Sequence, residues 1–272
     1  ARAGPVFQPH AVGVSTLAAM AVPPQRLEEV GQWISGFGAV NHNYEREHRI
    51  NLWFVVTGSQ ASEVAATLDR IRAETGLEVL DLPLLADYHI DLAFPLDPRD
   101  QPAQARSPLR GAAPRSAPVE PDPALLRAVQ DGLPLVPRPF AQVGEEAGLS
   151  ENEVLARLAA LAEAGAIKRL GLVVRHHELG FRANGMVVWD IPDANVAAVG
   201  RAMAQCPWVS LCYRRPRRPA WPYNLFTMIH GRDRDRVLAQ AADLAVAQGL
   251  RDRSREVLFS CRRFKQRGAR YA

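Results

Sequence analysis

The chain has 272 residues, of which 47% are hydrophobic and 23% are charged, and its formal net charge is +4. These values indicate an ordinary globular protein of about two domains. No apolar run approaches the roughly 20 residues that a membrane-spanning helix requires, so the sequence excludes a membrane-spanning protein.

Arginine is concentrated in the second half of the chain, above all in residues 213–218 and 251–267. This distribution predicts an anionic partner and leaves nucleic acid, a polycarboxylate and a phosphorylated ligand open. The three cysteines, Cys206, Cys212 and Cys261, lack CxxC spacing, which predicts a reduced, cytoplasmic protein without a zinc site. The first 20 residues do not resemble a signal peptide, and the absence of an initiator methionine fits a processed or truncated product.

Residues 1–95 predict a first module with the element order βαββαβ. Its elements are a strand at GVSTLAAMAV, a helix at PQRLEEVGQWISG, two strands joined by a polar hairpin, a helix at SEVAATLDRIRAETG and a last strand at LEVLDLPLLADYHIDL. This order is typical of the ferredoxin-like fold, in which an antiparallel sheet carries its helices on one face.

The polar stretch NHNYEREHRIN, residues 41–51, is the strongest candidate for a functional site in the first module. Because side chains alternate between the two faces of a strand, one face would carry His42, Tyr44, Arg46 and His48. Two imidazoles, a phenol and a guanidinium on one face suit acid–base chemistry on a large anionic substrate. A polar edge strand is the alternative for any one of these residues, but it does not explain all four.

Residues 96–121 are rich in proline, alanine, arginine and serine without periodicity, and they predict a linker. Residues 122–180 predict a winged helix-turn-helix domain, in which three helices precede a β-wing at KRLGLVVRHHELG. Ser150 and Glu153 have the spacing of a capping box at the start of the third helix. The apolar stripe of this helix is predicted to consist of Leu155, Leu158 and Leu161.

Residues 181–272 repeat the βαββαβ order of the first module. The segment 14–44 matches 183–213 at a constant offset of 169, and from Asn51 the offset is 173 because four residues are inserted. At the offset of 169, Ala1 aligns with Leu170, so the first module begins with the remnant of a wing. The predicted fold class is therefore α+β, with two ferredoxin-like modules in tandem and a winged helix-turn-helix domain before the second.

The winged helix LSENEVLARLAALAEAGAIKRLGLVVRHHELGF followed by a βαββαβ module resembles the Lrp/AsnC regulators. The stretches VNHNYEREHRINLWFVVTG and CYRRPRRPAWPYNLFTMIHGR resemble more specifically the siroheme decarboxylases, an Lrp-like enzyme family, with both subunit types fused in one chain. The resemblance covers nearly all of the chain outside the linker. It implies removal of carbon dioxide from two acetate side chains of siroheme to give didecarboxysiroheme, in the synthesis of heme d1 or in an alternative heme route.

Siroheme is a flat macrocycle ringed by carboxylates, so its site requires guanidinium groups and aromatic walls. We expect the substrate to be bound by Asn51, Trp53, Tyr213, Arg214, Arg215, Arg217, Arg218, Trp221, Tyr223 and His230. For catalysis, we expect Arg46 to orient the departing carboxylate and Tyr44 to fix the geometry. His42 or His48 would then donate a proton as imidazolium. No organic cofactor and no resident metal are expected, because the macrocycle delocalises the negative charge and the iron enters with the substrate.

The aligned positions of the second module keep the tyrosine and the arginine but replace both histidines. The aligned pairs are His42 and Leu211, Tyr44 and Tyr213, Arg46 and Arg215, and His48 and Arg217. We therefore expect one competent site, in the first module. The second module would serve as a binding wall, a scaffold or a degenerate site.

Two other functions are compatible with parts of the sequence. A DNA-binding regulator is disfavoured because the third helix of the winged domain carries three glutamates against the single Arg157, although basic residues on the wing allow weak, nonspecific binding. A tetrapyrrole carrier would need the arginine and aromatic walls but not the histidines. His230 is equally well explained as a surface histidine, and structural or solvated roles are expected for His89, His176 and His177.

The partners expected from the sequence are a tetrapyrrole substrate and other decarboxylase subunits. The two copies would form a pseudo-dimer within the chain. A homodimer or a complex with related subunits would be a further level of assembly, and neither DNA nor a membrane is expected as a partner.

Overall fold

The structure, a computed structural model, describes residues 2–7, 13–90, 122–173 and 180–268. Strand β1 (Arg2–Phe7) lies before the first module, and the linker predicted at 96–121 lies outside the described residues. The first module consists of β2 (Val14–Met20), α1 (Leu27–Gly36), β3 (Val40–Arg46), β4 (Leu52–Gly58), α2 (Ala61–Thr75), β5 (Val79–Pro83) and β6 (Ala86–Ile90).

The winged domain consists of α3 (Pro123–Val129), α4 (Pro139–Ala147), α5 (Glu151–Glu163) and β7 (Ile167–Val173). The second module consists of β8 (Ala183–Trp189), α6 (Val196–Met203), β9 (Val209–Arg214), β10 (Leu225–Gly231), α7 (Arg234–Ala247) and β11 (Arg255–Gln266). Helix α5 begins with the predicted capping box, in which Glu153 N donates to Ser150 Oγ and Ser150 N donates to the Glu153 carboxylate. Its buried stripe is Val154, Leu158 and Leu161; the inclusion of Leu155 was wrong, because this side chain faces solvent.

The two modules share one antiparallel sheet with the strand order β5-β2-β4-β3-β11-β8-β10-β9-β6. Within each module the last strand lies beside the first, followed by the third and the second, which is the ferredoxin-like order. The predicted α+β fold class is confirmed.

The last strand of each module crosses to the other module. In β11, residues 255–259 pair with β8 of the same module, whereas residues 260–266 pair with β3 of the first. In the first module, β5 pairs with β2 but β6 pairs with β9 of the second. The single last strand predicted for the first module is divided into β5 and β6, whereas the one predicted for the second module is present as β11. Pro83 ends β5 because proline has no backbone N–H to donate to the ladder.

An aromatic side chain on each crossing strand lies against a glycine of the opposite module. A Cβ atom added to Gly31 in α1 would lie 2.5 Å from the ring of Phe264, and one added to Gly200 in α6 would lie 2.3 Å from the ring of Tyr88. The two glycines are aligned in the repeat, so the same contact occurs on both sides of the junction. Glycine is required there because any side chain would overlap the ring.

The inner faces of the two halves of the sheet pack against each other, and the helices of each module cover the outer faces. We call the packed inner faces the inter-module core. Its buried members are Leu17, Ala19, Ile50, Trp53, Leu82, Met186, Val188, Tyr213, Trp221, Tyr223, Phe226, Met228 and Leu258. The positions near this core are the ones that matter for the candidate site.

Strand β7, the described part of the predicted wing, pairs with β1. The two strands are antiparallel, and Gly4 lies opposite Gly171. At the offset of 169, residues 2–4 of β1 align with residues 171–173 of β7, so the pairing joins strands that overlap in the repeat. The rest of the predicted wing, with Arg175, His176 and His177, lies outside the described residues.

Candidate active site at the module junction

Strand β3 presents His42 and Tyr44 on the inner face of the sheet. Between them, Asn43 faces α1 and donates a 2.8 Å hydrogen bond to the Gly31 carbonyl oxygen. The rings of His42 and Tyr44 are nearly parallel, with centroids 6.4 Å apart. The alternation predicted for this part of the strand is present.

His48 lies beyond the end of β3, so the prediction of a strand that continues through it was wrong, although its ring still reaches the inter-module core. Strand β3 ends at Arg46, and residues 47–50 turn back towards β4. Arg46 N donates to Asn51 O at 2.7 Å and His48 N donates to Arg46 O at 2.9 Å, which closes the turn. Strand alternation stops here because these hydrogen bonds are local to the turn.

His42 is neutral at pH 7 in this structure. Burial lowers its pKa from the ordinary value of 6.5 to about 4, and its nearest polar contact is the Asn41 side-chain oxygen, 3.0 Å from Nδ1. Burial also raises the pKa of Tyr44, although Arg46 and Arg263 act against this shift. His42 is therefore a neutral imidazole before an anion binds, and not the imidazolium that was expected.

Arg46 is a buried cation, only 8% exposed, and its hydrogen-bond partners are neutral. Nη1 donates to the Leu258 carbonyl oxygen at 2.9 Å and to Asn184 Oδ1 at 3.3 Å, both in the second module. Its Nε has no hydrogen-bond partner among the described residues. Burial lowers its pKa to about 10, so the guanidinium remains charged at neutral pH. An anionic substrate would supply the counter-ion that the described residues do not.

Arg215 has the equivalent position in the second module. It donates to the carbonyl oxygen of Leu82, which lies in the last strand of the first module, and its guanidinium lies over the ring of Tyr213 at 4.7 Å. Each arginine thus donates to a backbone carbonyl oxygen of the other module, Arg46 to Leu258 in β11 and Arg215 to Leu82 in β5. This shared contact explains why the arginine persists in both copies while the histidines do not.

A hydrogen-bonded chain leads from Arg46 to His230. Because a guanidinium can only donate, Asn184 presents Oδ1 to Arg46 and its Nδ2 to His230 Nε2, 2.8 Å away. The proton of the neutral imidazole is then on Nδ1, which lies 2.8 Å from Ser210 Oγ. Ser210 in turn donates to the Met228 carbonyl oxygen at 3.0 Å. His230 is therefore part of the junction, and the interpretation as a simple surface histidine is not supported.

His48 contacts two residues of the second module that bracket its ring. Its Nε2 lies 2.8 Å from Glu256 Oε2, and its ring meets the indole of Trp221 edge-on, with centroids 5.5 Å apart. The Tyr223 hydroxyl donates to the other oxygen of Glu256 at 2.6 Å. Sequence reasoning missed Glu256, for which the only signal was a lone carboxylate within the apolar strand EVLF.

The arginines predicted to clamp the substrate are engaged within the second module or across the junction. Arg217 bonds to Asp190 at 2.6 Å and Asp193 at 2.8 Å, and Arg214 bonds to Asp193 at 3.2 Å. Arg218 donates to the Asp81 carbonyl oxygen at 2.9 Å. A carboxylate-rich substrate would have to compete with these internal partners.

The aromatic residues predicted as binding walls are packed in the inter-module core. Trp221 is fully buried, with Trp53 and Tyr223 each 5.0 Å away between ring centroids. Tyr213 stacks on Phe226 at 5.7 Å. In this conformation these rings stabilise the junction and present no open wall.

Asn51 supports the backbone. Its side chain accepts from Val22 N and donates to Val22 O, both at 2.9 Å, and Asn224 makes the same pair of bonds with Ile191 in the second module. These matched contacts give Asn51 a structural position in the repeat, away from the role of substrate ligand.

A cavity of about 150 Å³ lies beside the Arg46 chain. It is lined by Arg182, Ala183, Arg232, Asp233, Arg234, Phe259 and Ser260. Ser260 Oγ donates to Asn184 Oδ1 at 3.3 Å, which connects the wall of the cavity to Arg46. This volume is below the roughly 300–1,000 Å³ of small-molecule sites, so a macrocycle would require the junction to rearrange.

The described residues offer neither a metal site nor a membrane span. No group of three or more His, Cys, Asp or Glu side chains there could hold a metal ion. No helix in the same ranges is long and apolar enough to cross a bilayer. All three cysteines are free thiols.

Comparison with known proteins identifies relatives for both modules and for the winged domain. A family model for an AsnC-like ligand binding domain matches residues 11–89 and 178–265, and one for a siroheme decarboxylase NirDL-like HTH domain matches residues 122–168. The siroheme decarboxylase NirDL subunit of Paracoccus denitrificans is 43% identical over 278 residues, covering 100% of this chain and 82% of that subunit. The siroheme decarboxylase NirL subunit of Stutzerimonas stutzeri is 48% identical over 149 residues, covering 54% of this chain and 88% of that subunit.

A solved structure agrees with these sequence relatives. The crystal structure of a siroheme decarboxylase NirDL in complex with an iron-uroporphyrin III analogue matches with a TM-score of 0.67 and 28% identity, covering 99% of this chain and 78% of that chain. The matches extend over both modules and the domain between them. The chain belongs to the siroheme decarboxylase family.

Proposed function

We propose that this chain removes carbon dioxide from two acetate side chains of siroheme and gives didecarboxysiroheme, for the synthesis of heme d1 or of heme by an alternative route. One observation carries the proposal: this chain presents the buried Arg46 guanidinium, which has no counter-ion among the described residues, on the same strand face as a neutral imidazole and a phenol. This face is suited to a carboxylate that must first be held and then replaced by a proton.

The reaction requires few chemical groups from the protein. Loss of carbon dioxide breaks the bond between the methylene carbon and the carboxylate carbon and leaves the electron pair on the methylene carbon. The conjugated macrocycle delocalises that pair until a proton is added. Each acetate therefore consumes one proton and yields one methyl group and one carbon dioxide, and the protein must hold the acetate and deliver the proton. We assign no organic cofactor and no resident metal, and the iron belongs to the substrate.

Arg46 is our candidate for the group that holds the acetate. Its bonds to Leu258 O and Asn184 fix the guanidinium in position without neutralising it. A charge that is fixed and buried attracts a carboxylate more strongly than one in water, because the surroundings screen it less. The same attraction opposes departure of the carboxylate, so exclusion of water from the closed site must offset it.

His42 is our candidate for a proton donor that becomes active on binding. A carboxylate nearby favours the charged imidazolium and would raise the pKa of His42 from about 4 towards neutrality. The acid would then form only in the complex with substrate. Tyr44, with its ring parallel to that of His42, would fix the position of the imidazole.

The first module would carry this chemistry, and the second would support it. Leu211 stands at the position of His42 in the second module and cannot transfer a proton, while Arg215 keeps the contact with the crossing strand. We further propose that the two copies act as an internal dimer in the cytoplasm, and that the chain assembles with related decarboxylase subunits. The strand exchange between the modules supports the internal dimer. Relatives that are named as separate subunits support assembly with related decarboxylase subunits.

A DNA-reading role is not part of the proposal. Arg157, the basic residue of α5, is ion-paired with Asp122, and two glutamates lie in the first turn of that helix. These carboxylates would repel the phosphates that a recognition helix approaches.

The proposal is tested by anaerobic incubation of the purified chain with siroheme and mass spectrometry of the extracted tetrapyrrole. We expect the mass to fall by two units of carbon dioxide, and a fall by one unit would mean that a partner subunit completes the reaction. Bound but unchanged siroheme in the presence of the related subunits would contradict the proposal and indicate a carrier.

A further inference from the structure

The contact between His48 and Glu256 joins the two modules through titratable side chains. His48 lies in the turn after β3 of the first module, and Glu256 lies in β11 of the second. The imidazole is 11% exposed and the carboxylate 42% exposed, so the pair extends from the inter-module core to the solvent.

The surroundings of His48 determine where its protons lie. Ile50 N donates to Nδ1 at 3.0 Å, so the neutral ring carries its proton on Nε2, directed at Glu256. If Nδ1 also becomes protonated, the Ile50 carbonyl oxygen, 3.3 Å away, can accept that proton. Each ring nitrogen therefore has a protein partner, and protonation of Nδ1 exchanges the bond from Ile50 N for one to Ile50 O. The proton on Nδ1, on the side of the ring away from Glu256, is the one that the imidazolium would give up.

Glu256 is itself held in position. The Tyr223 hydroxyl donates to its second oxygen at 2.6 Å, and the indole of Trp221 lies between Tyr223 and the His48 ring. The imidazole thus has a carboxylate that orients it, and the carboxylate has a phenol that orients it. This arrangement follows the logic of a catalytic histidine supported by a fixed carboxylate.

The pair exists on one side of the junction only. Arg46 bonds to Leu258 O and Arg215 bonds to Leu82 O, so position 258 corresponds to position 82 in the crossing strands. Glu256 then corresponds to Leu80, and His48 corresponds to Arg217. Leu80 has no carboxylate and Arg217 has no imidazole, so the contact between His48 and Glu256 is not repeated at these positions.

We propose that Glu256 is a positioning residue for His48, so that the second module contributes the carboxylate that prepares a proton donor of the first. The inference rests on the proposed decarboxylation and adds a composite site to it. His42, without a carboxylate, would become charged only with substrate, whereas His48 has its counter-ion in place beforehand.

The test compares Glu256→Gln with Glu45→Gln under single-turnover conditions with siroheme. Glu45 is a matched control because it is also a carboxylate ion-paired across the junction, with Arg262 at 3.0 Å, but on the outer face. We expect Glu256→Gln to lower the single-turnover rate constant about tenfold with the half-saturating siroheme concentration unchanged, because the imidazole loses the carboxylate that orients it. Glu256→Asp should restore part of the rate, and Glu45→Gln should change neither quantity.

A second variant and a second readout keep the test decisive. Tyr223→Phe retains the packing and removes the bond to Glu256, so it should lower the single-turnover rate constant by a smaller amount. The ¹⁵N spectrum of the His48 ring in the free chain should show the Nε2–H tautomer and should change in Glu256→Gln. An unchanged single-turnover rate constant in Glu256→Gln would overturn the inference while leaving the decarboxylation intact. Absence of turnover in the unmodified chain would instead reject the proposed function, and the ¹⁵N spectrum would still report on the pair.

Discussion

At the scale of single residues, the site depends on how burial changes the charge of each group. Burial leaves His42 neutral, whereas Arg46 remains charged although its partners are neutral. The consequence is a site with one fixed positive charge and one group able to gain another. That combination favours the binding of a carboxylate before the proton donor forms.

The depressed pKa of His42 makes a prediction about stability. Between pH 6.5 and 4 the unfolded chain binds a proton at His42 that the folded chain does not, so the free energy of unfolding must fall as the pH falls through this range. The loss should be about 2 to 3 kcal/mol and should be absent above pH 6.5. Urea unfolding of the unmodified chain and of His42→Gln at pH 7 and 4.5 measures it. The variant should lose less stability on acidification, and an equal loss in both proteins would show that His42 is not buried as described.

At the scale of elements, the crossing strands and the aromatic contacts with glycine join the modules. Phe264 on β11 lies against α1, and Tyr88 on β6 lies against α6. These contacts hold β11 beside β3, which is the strand that carries His42 and Tyr44. The position of the candidate site therefore depends on packing at both of its edges.

A substitution at the glycine tests this dependence. Gly31→Ala places a Cβ atom 2.5 Å from the Phe264 ring and should destabilise the chain by roughly 1 to 3 kcal/mol. The control is Gly36→Ala in the same helix, where a Cβ atom meets nothing within 4 Å and should be neutral or stabilising. The double variant Gly31→Ala with Phe264→Leu should recover part of the loss in chemical unfolding. Equal effects of the two alanines would contradict the contact.

At the scale of the whole molecule, the shared sheet predicts that the two modules unfold together. Trp53 of the first module and Trp221 of the second have ring centroids 5.0 Å apart, so the difference in tryptophan fluorescence between the unmodified chain and Trp221→Phe reports their separation, while far-ultraviolet circular dichroism reports the loss of secondary structure. We expect the urea transitions followed by fluorescence and by circular dichroism to coincide, because the strands of each module pair with those of the other. A fluorescence change that precedes the loss of secondary structure would show that the modules separate before they unfold.

Much of this architecture follows from the sequence, because the repeat imposes the same hydrophobic pattern on both modules. The capping box at Ser150 and the common face of His42 and Tyr44 depend on local spacing, which a sequence displays directly. The exchange of the last strands could not be predicted, since an alternating strand pattern does not specify which neighbour it pairs with. For the same reason Glu256, which is 208 positions from His48, was not recognised, and the turn at residues 47–50 was hidden by the regular alternation of its polar residues.

We assign the chemistry to the inner face of β3 in the first module. The most direct measurement compares His42→Gln with Leu211→Ala, its aligned position in the second module, in single-turnover decarboxylation of siroheme followed by mass spectrometry. We expect His42→Gln to lose about 100-fold or more in rate while still binding siroheme, and Leu211→Ala to retain most of its activity. Equal losses in the two variants, or full activity of His42→Gln, would contradict the assignment of the site to the first module.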